Sequence, residues 1–136
     1  MFNLFKSAKN NLTSLKSSVS KVASPLMDLE ALNQSKEQIE VRDEDRYEKA
    51  NNLYNEALEL LESFNLSKND NEAYKAAEKL YESLKYKRNG EVYFWLSYIY
   101  YVFDKDKLTF QYLKIAEDLS PEYNKIKEFK KIIGEN

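Results

Sequence analysis

Pairs of carboxylates are the residues in this sequence whose spacing comes nearest to an acid–base or metal site. The pairs are Asp43 with Asp45, Glu59 with Glu62, and Asp104 with Asp106. Two carboxylates can cleave a glycosidic bond when they flank a cleft and one of them has a raised pKa. These pairs fall in polar turns or on charged helical stretches, where solvated carboxylates are expected. The 104–106 stretch also lacks the glycine and the distal glutamate of a calcium loop.

Histidine and cysteine are both absent from the sequence. Histidine is the commonest general base and metal ligand, and cysteine is the usual thiolate nucleophile and zinc ligand. We therefore predict that the protein is not an enzyme and that it binds neither a metal nor another cofactor. The lack of cysteine also fits a reducing compartment, so we expect a cytoplasmic protein.

Composition predicts an all-α fold. The 136 residues include only two Gly and two Pro, whereas a sheet protein of this length needs many tight turns. The 21 basic and 23 acidic residues nearly balance, which argues against a nucleic-acid partner. No apolar run is long enough to cross a membrane, and no secretory signal is evident.

Residues 1–24 are predicted to form a basic amphipathic helix with four lysines and no acidic residue. Apolar residues recur at spacings of three and four, which places them on one side of a helix. This N-terminal seam consists of Phe5, Ala8, Leu12, Leu15, Val19 and Val22. Three roles are consistent with it: docking onto the rest of the chain, self-association as a coiled coil, or contact with an anionic membrane surface.

Residues 25–42 are predicted to form a connecting helix that starts at Ser24 and Pro25, and residues 43–136 a helical domain. Residues 42–46 are either a break or a solvated helical turn. A strong helix then extends to a stop within residues 65–71, and the next helix is expected to be capped near Asp70 or Asn71.

The stretch after Asn89-Gly90 permits two predictions. Asn-Gly followed by Val92 to Trp95 is typical of a hairpin, but Gly90 also suits the left-handed end of the preceding helix. We favour a buried helix over residues 92–103, because its neighbours are helical. A further helix follows Asp104–Asp106. The last is expected to start with Ser120 as N-cap and Pro121 in its first turn, with Ile126, Phe129 and Ile133 facing inward.

Bulky and small residues after Gly90 follow a regular pattern. They are Tyr93, Leu96, Ser97 and Tyr100, then Thr109, Leu113, Ala116 and Pro121. This pattern resembles the tetratricopeptide repeat (TPR), a 34-residue pair of antiparallel helices. Thr109 stands where Ala is usual, and Tyr93 where Trp is usual. Residues around Ala76 and Ala50 resemble degenerate copies, so the likeness covers roughly residues 43–133. It implies antiparallel helical hairpins in a superhelix, closed by a C-terminal capping helix.

The resemblance also implies a binding groove, because the first helix of each repeat lines a concave surface that receives a peptide or helix. By position, the groove residues are Glu91, Phe94, Tyr98, Tyr101 and Val102. The alternative is that the chain's own N-terminal helices cover these rings.

The function predicted from these observations is a non-catalytic protein–protein interaction module, such as an adaptor or chaperone, that binds a partner protein or peptide. The alternative is a structural subunit or peripheral membrane scaffold attached through the N-terminal amphipathic helix.

Overall fold

The structure, a computed structural model, describes residues 43–134, and within that range it contains five α-helices and no strand. The helices are α1 (Asp43–Ser67), α2 (Asp70–Tyr86), α3 (Gly90–Val102), α4 (Asp106–Leu119) and α5 (Asn124–Ile132). The all-α prediction is therefore confirmed. The N-terminal seam and the connecting helix predicted for residues 25–42 lie outside the described residues.

Short connections join the helices into two antiparallel pairs, α1 with α2 and α3 with α4, and the pairs meet where α2 contacts α3. Small residues allow close approach within the first pair, since Ala57, Ala73 and Ala76 are fully buried. The Ser83 hydroxyl donates to the Ala50 carbonyl at 2.9 Å, so this polar contact between α1 and α2 is satisfied.

The helix ends agree with the sequence prediction in part. Residues 43–46 are helical, and α1 ends inside the predicted stop. The N-cap of α2 is Asn69, not Asp70 or Asn71, and its side chain accepts from the Asn71 amide. Asn69 is favoured because its Oδ1 satisfies an amide in the first turn, which has no partner within the helix.

Helix α5 begins later than predicted. Pro121 and Glu122 form a turn, and α5 starts at Asn124, with Tyr123 at the N-cap position. Ser120 instead ends α4, where its amide donates to the Ala116 carbonyl at 2.8 Å. The inward positions of Ile126 and Phe129 are confirmed, because both side chains are buried.

Gly90 has a different role from the one predicted. The stretch after it is helical, as favoured, but Gly90 is the first residue of α3 and does not have a positive φ. Asn89 is the N-cap and accepts from the Glu91 amide at 2.9 Å. A Cβ on Gly90 would lie 2.7 Å from Ser120 Cβ and 3.0 Å from the Ala116 carbonyl oxygen. Glycine is therefore needed for the close approach of α3 to the end of α4.

We expect Gly90→Ala to destabilise the protein by about 1–3 kcal/mol, because the added methyl collides with α4. The Ser120→Gly background removes the nearest atoms, so the same substitution should cost less there. A chemical-denaturation double-mutant cycle measures this coupling. Equal costs in the two backgrounds would contradict the proposed contact.

Candidate functional site

The residues predicted to line a groove are mostly interior. Phe94, Tyr98 and Val102 are buried, whereas Glu91 and Tyr101 are half-buried. These three residues belong to the hydrophobic core of the described domain, and the groove itself stays a prediction. Helix α5 contributes to this core, because Phe129 packs against the aromatic side of α3.

Phe129 of α5 is the centre of this packing. Its ring centroid lies 5.5 Å from Phe94, 6.2 Å from Tyr98 and 5.6 Å from Tyr101. Most of these contacts are edge-to-face, the geometry that aromatic quadrupoles favour. The C-terminal helix thus contacts three of the five residues that the sequence predicted to line a groove.

An opening remains beside this core, where α1, α3 and the start of α5 meet. This cleft, a cavity of about 140 Å³, is lined by Tyr54, Asn55 and Leu58 of α1, Glu91 and Trp95 of α3, and Tyr123 and Lys125. Trp95 is buried at its base, whereas the α1 residues and Tyr123 are partly or fully exposed. Of the predicted groove residues, only Glu91 lines it.

Local structure positions the polar residues of the cleft. The Asn89 cap fixes the first turn of α3 and hence Glu91. The turn after α4 is held by a hydrogen bond from the Tyr123 amide to the Ser120 carbonyl at 3.1 Å, and it carries Tyr123 to the edge of the cleft. Glu91 and Tyr123 are therefore positioned by a capped helix start and a hydrogen-bonded turn.

A short hydrogen-bond chain crosses the cleft. Trp95 Nε1 donates to the Tyr54 hydroxyl at 3.1 Å, and that hydroxyl donates to Glu91 Oε1 at 2.9 Å. Burial raises the pKa of Tyr54 well above its ordinary value, and the nearby Tyr123 and Glu91 raise it further. Because Tyr54 keeps its proton at neutral pH, it acts as a hydrogen-bond donor and is poorly suited to serve as a base or nucleophile.

The lining of the cleft is chemically mixed. It combines aromatic rings and a leucine with a carboxylate from Glu91 and an ammonium group from Lys125. Such a surface can hold an apolar side chain and orient polar groups on the same ligand.

A second cavity, of about 320 Å³, lies on the other side of Tyr123 against the α4–α5 turn. Its lining is largely charged and includes the ion pair of Lys130 Nζ with Glu117 Oε2 at 2.5 Å. This pair joins α4 to α5, which gives the residues a structural role.

Two of the carboxylate pairs identified in the sequence lie on the surface of the described domain. Glu59, Glu62, Asp104 and Asp106 are exposed. Within residues 43–134, no group of three or more Asp, Glu, His or Cys residues is arranged to hold a metal ion.

Three buried tyrosine hydroxyls form a separate cluster, the Tyr81 triad, between α2, α3 and α4. Tyr81 Oη lies 2.6 Å from Tyr100 Oη and donates to Tyr112 Oη at 3.0 Å. Burial, followed by the two neighbouring hydroxyls, raises the pKa of Tyr81 strongly. The triad joins the two helical pairs through polar contacts inside the core.

Sequence reasoning missed Tyr54, Trp95 and Tyr123 as cleft residues. The apolar spacing along α1 predicts Tyr54 to face the core. A signal was present in α3, because Glu91 and Trp95 are four residues apart and share one side of a helix. The contribution of Tyr123 depends on a turn whose path the sequence did not reveal.

The described residues form an all-α domain with an aromatic cleft that has a carboxylate and an ammonium group at its edge. Comparison with protein-family models, curated proteins and solved structures gave no match to the chain. None of the described helices is long and apolar enough to cross a membrane.

Proposed function

We propose that residues 43–134 form a tetratricopeptide-like, non-catalytic interaction module that binds a segment of a partner protein in the cleft between α1, α3 and α5. The observation that carries the proposal is the cleft itself. It exposes parts of Tyr54, Leu58 and Tyr123 beside two opposite charges, while the neighbouring rings of Phe94 and Tyr98 are buried.

The pairing of the helices supports the repeat-like part of the proposal. Two helical pairs with short connections follow one another. The positions of α3 and α4 that resemble the tetratricopeptide repeat are buried, namely Tyr93, Leu96, Ser97, Tyr100, Thr109, Leu113 and Ala116. Thr109 departs from the usual Ala, but its hydroxyl donates to the Lys105 carbonyl at 2.9 Å. The buried hydroxyl is therefore satisfied, and the small side chain still permits close packing.

The position of the cleft supports the binding part of the proposal. In the repeat family that the sequence resembles, the first helix of each pair lines the ligand surface. Helices α1 and α3 are the first helices of the two pairs here, and both contribute to the cleft. The ligand we expect is a peptide or helix that inserts one apolar side chain, with polar groups facing Glu91 and Lys125.

Selection of random displayed peptides on the full chain tests this proposal. Peptides that enrich should bind about tenfold more weakly to Asn55→Arg, since a long side chain at this exposed position obstructs the mouth of the cleft. The matched control is Asn52→Arg, an exposed α1 position that does not line the cleft.

Circular dichroism should show the same helicity for both variants. The proposal is overturned if no peptide enriches on the full chain or on the same chain carrying Leu12→Asp and Leu15→Asp, which replace two residues of the N-terminal seam with charges. It is also overturned if the two arginine variants bind an enriched peptide equally well.

A further inference from the structure

We propose that the N-terminal segment, residues 1–24, docks into the cleft of its own chain and must leave before a partner binds. This inference rests on the proposed function, because it assigns a regulator to the same cleft. It also selects one of the three roles that the sequence allowed for the N-terminal seam.

The N-terminal segment and helix α1 have complementary charges. Residues 1–24 contain Lys6, Lys9, Lys16 and Lys21 and no acidic residue. Helix α1 has seven acidic and two basic residues, and its exposed carboxylates include Glu44, Glu48, Glu59 and Glu62. A basic segment that lies along α1 therefore meets an excess of negative charge.

The N-terminal seam and helix α1 also have matching apolar surfaces. Tyr47, Tyr54 and Leu58 are separated by seven and four residues, so they share one side of α1 and extend the apolar surface of the cleft. Tyr47 is 50% exposed. The stripe is about 16 Å long, and the N-terminal seam repeats at the same helical spacing.

Residues 25–42 are long enough to let the N-terminal segment reach the cleft. The cleft lies about 17–23 Å along α1 from its start at Asp43. Residues 25–42 join the N-terminal segment to that start and can span up to about 60 Å when extended. The tether therefore permits docking, and it raises the local concentration of the segment to the millimolar range. Even a weak contact would then compete with a free partner.

This docking can be tested by NMR with a single spin label, because the sequence has no cysteine and only one tryptophan. That residue, Trp95, lies at the base of the cleft. A spin label on the full-length Ser14→Cys variant should remove most of the intensity of the Trp95 indole N–H signal in NMR spectra. Ser14 lies outside the seam, so the label leaves the apolar residues intact.

Matched substitutions test whether the seam causes this effect. Adding Leu12→Asp and Leu15→Asp should restore the Trp95 signal, because charges replace two seam residues. Adding Asn10→Asp and Ser17→Asp makes the same charge change on the opposite side of a helix, and the signal should stay weak.

Three outcomes overturn the inference. The Trp95 signal could keep its intensity in the labelled chain, or both aspartate pairs could restore it equally. Alternatively, mixing isotope-labelled chains that carry no spin label with unlabelled chains that carry one could reproduce the loss, which would assign the docking to a second copy. These results do not depend on peptide selection, so the inference and the proposed function can fail separately.

Discussion

Replacing Phe129 with alanine is expected to lower the free energy of unfolding by about 3–5 kcal/mol, as is typical for a fully buried aromatic side chain. Phe129 has no exposed surface, and its ring contacts Phe94, Tyr98 and Tyr101. Its loss leaves a cavity between α3 and α5. Because α5 is only nine residues long, it depends on this packing for its stability.

Urea denaturation followed by circular dichroism measures this effect. Lys127→Ala is the matched control, because Lys127 is an exposed residue of the same helix, and its loss should change stability by less than about 0.5 kcal/mol. A similar small change for Phe129→Ala would show that α5 does not pack against the rings of α3 as described.

The second large effect is expected at alkaline pH. Burial raises the pKa of the Tyr81, Tyr54 and Tyr98 hydroxyls above the ordinary value near 10. Below pH 10 these hydroxyls are protonated in both the folded and the unfolded chain, so they add no pH dependence. Above pH 10 the unfolded chain loses these protons while the folded chain keeps them. Stability should then fall by about 1.4 kcal/mol per pH unit for each such tyrosine.

The Tyr81→Phe variant tests the sign and the origin of this effect. It should be less stable at neutral pH by about 1 kcal/mol, because Tyr100 and Tyr112 lose a hydrogen-bond partner. Between about pH 10.5 and pH 12, the free energy of unfolding of this variant should fall less steeply with pH, by the contribution of one proton.

An unchanged alkaline slope in Tyr81→Phe would contradict the burial of the triad.

The cleft and the aromatic core contribute different properties to the domain. The core rings of α3 give the domain stability, and the cleft gives it a surface on which binding can be tested. Tyr54 belongs to both, because it is half-buried and bonds to Trp95 in the core and to Glu91 at the edge. Substitutions meant to test binding are therefore better placed at Asn55, whose side chain is exposed.

The sequence by itself predicted the helical class and most helix positions. Scarce Gly and Pro and the spacing of apolar residues in α1, α2 and α4 were sufficient, because amphipathic helices repeat their apolar side every three to four residues. The buried alanines of α2 followed from the same spacing. Local signals were less decisive at the ends, where Asn69 rather than Asp70 or Asn71 caps α2 and Ser120 ends a helix rather than starting one.

Only the tertiary structure decided which side of α3 is open. Buried residues surround α3 nearly completely, so its sequence has no apolar side that indicates a direction. The path of the chain after the Pro121 turn places Phe129 of α5 against Phe94 and Tyr98, and the cleft lies at Trp95 and Glu91. Periodicity reports which residues avoid water, but the choice between a groove and a core depends on contacts between segments far apart in the chain.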